Sequence, residues 1–411
     1  MRKIEFCRRC LYSNFHPLGL VLDEHGICSG CRIHEEKDTL DWKKRWSQLE
    51  SLVAPYKSKN RREYDCIVPV SGAQDSHFIV HTVKEKLGLN PLLVSYNKYF
   101  NTALGIRNMA NLRIRFNCDI LYQNVNPVSV KRIVRTSLRR FGSIYWPILA
   151  GHSVFPVQTA VRHRVPLIIW GAHQGLEQVG MFSHVHEVEM TRRYRKDHDL
   201  MGFEADDLLS AFDTLSETDI WQYRYPDDQD LQTVGVRGIY LGNYIRWDPK
   251  TQHEHMMSDK GYQTSDFPRT FDCYDHVDCF NYMGLHDQLK LYKHGYSKVT
   301  DHACREIRFG RVTRAQGLNL VRAHEQIAAD HLNQFRDWLG VTQLGLQFML
   351  DQHRSPRFWH ELSPGKWEFR GLSTMQQGKD VPMPAKIFQA TSSLNTNREA
   401  KYITVGKGWP D

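Results

Sequence analysis

Cys7, Cys10, Cys28 and Cys31 form the pattern C-x2-C-x17-C-x2-C. Each close pair presents two thiolates from one tight turn, and two such turns at this separation suit a tetrahedral zinc ion. Gly26 and Gly30 give those turns the backbone freedom they need. A disulfide pair and coincidence are the other readings, and a cytosolic setting argues against disulfides. Cys66, Cys118, Cys273, Cys279 and Cys304 are scattered and read as small buried hydrophobes. A second chemical feature is Val70-Ser71-Gly72-Ala73-Gln74-Asp75-Ser76. Small residues between a strand and a helix let backbone N–H groups close around a phosphate, and the helix N-terminus adds partial positive charge. Ser71 and Ser76 bring hydroxyl donors; Asp75 orients the loop or holds a magnesium ion. No G-x-x-x-x-G-K-[ST] run occurs, so this is not the Walker loop. Its plain alternative is an ordinary turn of small residues.

The elements that must hold these residues follow from hydrophobic periodicity. Strands are expected over 64–70, 91–96, 119–123 and 166–170, and helices over 75–87, 102–116, 127–141 and 152–163. Such alternation implies an α/β fold, a parallel sheet with helices on both faces. Its ligands bind beyond the carboxyl ends of the strands. One rim then carries Ser71–Ser76, Ser95–Asn97, Asn124–Asn126 and Gly171–His173. The expected order is a small zinc ribbon (1–38), a helical linker (39–63) with Trp42 and Trp46 on one face, and the nucleotide-binding core (64–175). A mainly helical, substrate-binding extension (176–352) and a polar tail (353–411) complete it.

With 411 residues, 41% of them hydrophobic and 24% charged, the chain can bury a large globular core. No apolar run reaches bilayer length and the first residues lack an apolar signal region, so a cytoplasmic protein without a membrane partner is expected. The net charge of +8 suits anionic partners. Lys131, Arg132, Arg135, Arg139 and Arg140 share helical spacing, as a solvated face or a binding patch. His184, His186, His253 and His255 are close-spaced, but a third spaced ligand is missing, which argues against a metal there.

The Ser71–Ser76 loop resembles the Ser-Gly-Gly-x-Asp-Ser loop of the PP-loop ATP pyrophosphatases, which belong to the adenine nucleotide α-hydrolase-like folds. Further segments carry a more specific likeness. These are Gly26–Cys31, Leu87–Val94, Arg107–Leu112, Pro166–Gly171, Gly238–Gly242 and Ala303–Arg308. Together they look like the N-acetyl sugar amidotransferases of bacterial surface-polysaccharide clusters, over residues from about 4 to about 350. That resemblance implies a reaction of O-antigen or nonulosonic acid synthesis. ATP adenylates the amide oxygen of an acetamido sugar, free or nucleotide-linked. Ammonia from a separate glutaminase then displaces AMP and leaves an acetamidino group. The implied cofactors are ATP, Mg2+ and Zn2+. Val70, Ser71, Gly72, Ala73, Gln74, Asp75, Ser76, Ser95, Gly171, Lys298 and Arg308 would bind ATP, with Asp75, Asp301 and Arg305 in catalysis.

The chain departs from the family at three places. Ala73 replaces a glycine, Gln74 replaces a lysine, and Ala172-His173-Gln174 follows Trp170-Gly171 where the family tends to an acidic residue and Asn. Glu177 is the nearest acidic substitute. A zinc-ribbon tRNA thiolase is the main rival. It generally needs a further cysteine centre that this sequence lacks, so nucleic acid is not the expected partner. A non-catalytic scaffold docking a glutaminase is the third reading.

Overall fold

Five short apolar segments pair side by side in the computed structural model, in the order β3-β2-β1-β4-β5, all parallel. They are β1 (Cys66–Pro69), β2 (Pro91–Tyr96), β3 (Ile120–Gln123), β4 (Leu167–Trp170) and β5 (Arg237–Tyr240). The structure describes residues 3–58, 63–73, 75–209, 215–376 and 381–391, and the backbone of 403–404 and 407–408. Side chains alternate across the sheet as the pleat requires. Ile67, Leu92, Val94 and Ile168 face one core; Val68, Leu93, Leu167, Ile169 and Ile239 face the other. Both faces are covered, as in parallel sheets generally.

Most helices lie where the periodicity puts them. The helix after β1 runs as α3 (Ser76–Val80) and then a wider π turn, His81–Lys86. Next comes α4 (Ala103–Phe116), capped by Thr102 Oγ1, which accepts from the Gly105 N–H. Asn126 caps α5 (Pro127–Phe141). The helix α6 (Trp146–His163) begins at Trp146 rather than His152, with Pro147 in its first turn. Gly151 hides this start by breaking the apolar pattern, because a Cβ there would strike the Tyr96 ring.

Beyond residue 174 the sequence reading ends the strand–helix rhythm, yet β5 extends the sheet beside β4. Its segment, Arg-Gly-Ile-Tyr, is short and glycine-interrupted, so the strand signal is faint. Gly238 is there because Met190 packs 2.7 Å from where its Cβ would stand. Helices Lys298–Arg308 and Arg314–His324 bury Val299, Ala303, Leu318 and Val321 against the cysteine-rich N-terminus. In the polar tail, Trp359–Ser363 and Lys366–Phe369 form a hairpin. Among the described residues no helix is long and apolar enough to cross a membrane.

The N-terminal ribbon continues as α1 (Ser29–Glu36) and α2 (Trp42–Val53). It docks on the segment after β4, where Ser29 Oγ donates to the Val179 carbonyl at 2.6 Å. A Cβ on Gly30 would lie 2.5 Å from the Gln178 carbonyl and strike the Arg308 guanidinium. Gly30→Ala is expected to lower unfolding free energy by about 1–3 kcal/mol, the usual cost of overpacking. Urea denaturation of wild type and variant measures it, and an unchanged midpoint would remove this contact from the account.

Candidate functional site

The loop after β1 is held shut by its own side chains. Ser71 N–H donates to Ser76 Oγ at 3.0 Å, and Ala73 N–H to Ser71 Oγ at 3.3 Å. Gly72 has φ +78°, and a Cβ there would sit 2.8 Å from the Gly105 carbonyl, so glycine is required. Ala73 does not have a positive φ and its side chain is buried, so alanine fits where the loop it resembles has glycine. Gln74 lies outside the described residues.

The strand order reverses between β1 and β4, and loops diverging there leave a crevice at their carboxyl ends. A cavity of about 190 Å³ occupies it, lined by Val70, Ser71, Ala73, Asp75, Ser76 and Gly171, with apolar cover from α6. Gly72 and Ser95 are not part of its lining. Asp75 and Ala172 also line a second cavity of about 240 Å³. Its far wall brings Lys298, Asp301, Arg305 and Arg308, together with Glu177, Asp275 and His302. Sequence-distant residues thus meet across one space, with Asp75 at the junction.

The charges there are tightly arranged. Burial lifts the Asp75 carboxyl to about 7, with Asp275 adding to the rise while His253 and Arg305 oppose it. His253, buried on the helix Pro249–Lys260, places Nε2 3.7 Å from Asp75 and 3.9 Å from Asp275. That nitrogen has no hydrogen-bond partner among the described residues, and neither do Glu177 Oε1 and Arg308 Nε. Buried polar atoms left this way are normally met by water or ligand. The carboxylate oxygens of Asp75 and Glu177, when ionised, are the hard donors that magnesium takes.

Asp301 accepts from Tyr12 Oη at 2.8 Å and Gln178 Nε2 at 2.9 Å, and it pairs with Lys290 and Lys298. Burial would raise its carboxyl, but the two lysines outweigh that and hold it far below the usual range. Arg305 donates to Asp272, Asp275 and Glu306. Asp272, Asp275 and His302 bring potential metal-ligand atoms within 4.8 Å of one another, but Arg305 already meets the carboxylate charge.

Several contributors carry no signal in sequence. Lys37, at the end of α1 and almost fully buried, reaches Glu177 at 2.5 Å and the Trp247 carbonyl at 3.1 Å. Asp275 and His253 meet Asp75 only through the fold. His173, at the position of a family departure, is buried against Tyr194 and Tyr240. The basic residues of α5 serve packing: Arg132 pairs with Asp219, Arg135 donates to the Leu339 carbonyl, and Arg140 to that of Asp207. His184 sits 3.4 Å from Glu36 and His255 2.7 Å from Asp259.

The four N-terminal thiols are buried with their sulfurs within 4.8 Å of one another. Cys10 and Cys28 Sγ are 3.5 Å apart, and the N–H groups of Arg9, Cys10 and Cys28 point at Cys7 Sγ from 3.3 to 3.4 Å. A tetrahedron with Zn–S bonds of about 2.3 Å needs sulfurs about 3.8 Å apart, so the cluster fits zinc. Arg308 Nη2 lies 3.7 Å from Cys28 Sγ, and its Nη1 donates to the carbonyls of Glu177 and Gln178.

Comparison with known proteins bears on the far wall. Residues 266–372 match a family model described as "LPS biosynthesis protein WbpG-like, C-terminal domain". The stretch includes Asp275, Lys298, Asp301, Arg305 and Arg308, and it supports a place among polysaccharide-biosynthesis proteins. The chain is also 25% identical over 118 residues to an uncharacterized protein of Methanocaldococcus jannaschii. That alignment covers 29% of this chain and 42% of the relative, less than half its length.

Purified protein is expected to hold about one zinc per chain, and a Cys28→Ser, Cys31→Ser double variant to hold none and melt several degrees lower. Metal analysis with thermal melting reads both. Zinc-free protein of unchanged melting temperature would rule the centre out.

Proposed function

We propose that this chain is an ATP-dependent amidotransferase of surface-polysaccharide synthesis, turning the acetamido group of a sugar into an acetamidino group. The observation that carries the reading is Asp75, shared between the crevice at the strand-order reversal and the cation-walled cavity beside it. The crevice suits a nucleotide, with loop amides and the Ser71 and Ser76 hydroxyls toward its phosphates. Magnesium held by Asp75 would supply further charge neutralisation for the leaving pyrophosphate. Lys298, Arg305 and Arg308 line the adjoining cavity, which shares Asp75 and Ala172 with the crevice.

The amide oxygen attacks the α-phosphorus of ATP, and pyrophosphate leaves. Ammonia then adds to the activated carbon, and AMP departs with the old oxygen. One proton is shed from the amide nitrogen or the ammonia, and Glu177, on the cavity wall with Oε1 unpartnered among the described residues, would receive it. Asp301 acts as a positioning residue, because its paired lysines keep it a poor base. Arg305 positions Asp275. Residues beyond 174 close the cavity, which lets ammonia compete with water. Sulfur transfer to tRNA finds less support: Cys66, Cys118, Cys273, Cys279 and Cys304 are buried, and none lines either cavity.

The test is incubation with ATP, magnesium, ammonium and a panel of acetamido sugars. AMP and pyrophosphate are expected, with a sugar lighter by about one dalton and carrying a basic amidine that stays cationic like a guanidinium. Asp75→Asn is expected to slow pyrophosphate release at least about a hundredfold with folding intact. ADP and phosphate as products, or thiolated tRNA without amidine, would refute the proposal.

A further inference from the structure

A third cavity, of about 180 Å³, adjoins the second and shares Gln174, Gln178 and Lys298 with it as lining. An apolar cavity of about 150 Å³ can hold benzene, so this space takes a ring-sized group. Its walls come from the ribbon, the end of α5, the segment around 198–201 and the helix Asp287–His294. Cations dominate: Lys290, Lys293 and Lys298 face it, against one carboxyl, Asp199.

The charges do not cancel. Lys290 and Lys298 share Asp301. Asp199 is lifted by burial to about 7, despite Arg195, so it is a weak counterion near neutral pH. Lys293 meets no carboxylate among the described residues. Its Nζ donates to the Phe141 carbonyl at 2.8 Å and lies 4.0 Å from Met201 Sδ. An ammonium carries three donors, so this one has capacity to spare. Burial pushes Lys293 down to about 8, which still leaves it chiefly protonated at neutral pH. A largely buried cation beside Leu149, Met201 and Leu289 is costly without an anion.

We propose that this third cavity is an anion subsite, in which Lys293 with Lys290 and Lys298 binds a diphosphate or carboxylate of the sugar substrate, while its acetamido group reaches the cavity at Asp75. The proposal rests on the amidotransferase reading. It requires the substrate to be an acidic or nucleotide-linked sugar and makes a neutral free sugar a poor ligand.

Calorimetric titration without ATP tests it, using UDP-N-acetylglucosamine for the diphosphate, N-acetylneuraminic acid for the carboxylate, and N-acetylglucosamine as the neutral control. At least one charged probe is expected to bind about tenfold or more tightly than the control. Lys293→Gln is expected to weaken that probe about tenfold or more, the loss of one charged hydrogen bond. Lys293→Arg is expected to restore it to within about threefold, since the charge returns, and the control to stay constant throughout. Thermal melting checks that both variants fold, and the probe that responds names the anion. Equal affinity for charged and neutral probes, or charged-probe binding untouched by Lys293→Gln, would overturn the subsite. Lys293-dependent binding without pyrophosphate release from ATP would keep the subsite and reject the amidotransferase.

Discussion

Arg308 is the residue on which the site depends. Its half-buried guanidinium lies 3.7 Å from Cys28 Sγ and donates to the carbonyls of Glu177 and Gln178. A buried arginine needs anionic or carbonyl partners on every side it presents. Here they come from the ribbon and from the segment after β4, so neither can shift without stranding the charge. The resemblance to amidotransferases implies that Arg308 binds ATP; these contacts add a structural task to whatever it does toward phosphate.

From that tie the rest of the cavity follows. Holding Glu177 in place lets Lys37 reach it from α1, and the helix that carries Arg308 also carries Lys298, Asp301 and Arg305. Each has its counterion: Asp301 for Lys298, and Asp272, Asp275 and Glu306 for Arg305. The exceptions stand out against this balance. Asp75 and His253 face each other at 3.7 Å, and Lys293 pairs with no carboxylate among the described residues. Buried polar groups left short of partners, with Glu177 Oε1 and Arg308 Nε among them, are normally met by water or ligand.

The sequence is most informative where local rules act alone. The ribbon spacing, β2, α4, α5 and the turn between β1 and α3 are legible because periodicity, caps and turn residues agree. β5 is not, since its four residues acquire strand character only by pairing with β4. The start of α6 is masked by Gly151, whose absent side chain makes room for Tyr96. The rim positions at Ser71, Ser76 and Gly171 are readable from topology. The meeting of Asp75 with His253 and Asp275 is not, because contacts between residues some two hundred positions apart leave no period in the chain. Ala73 illustrates a conditional reading: whether alanine suits the loop turns on one dihedral angle, and that angle exists only in the folded state.

The ribbon has a consequence for biosynthesis. Leu11 N–H donates to Cys304 Sγ, and Arg314 Nε to the Cys10 carbonyl at 3.0 Å, so the ribbon closes against helices far downstream of it. With zinc on its thiolates the ribbon would fold on its own, yet its docking face, with Leu11 and Tyr12, must wait for helices some 290 residues downstream. Contacts of such span form slowly and leave apolar surface uncovered meanwhile. A ribbon folded ahead of those helices would carry a bare apolar face through that interval, a natural handhold for chaperones.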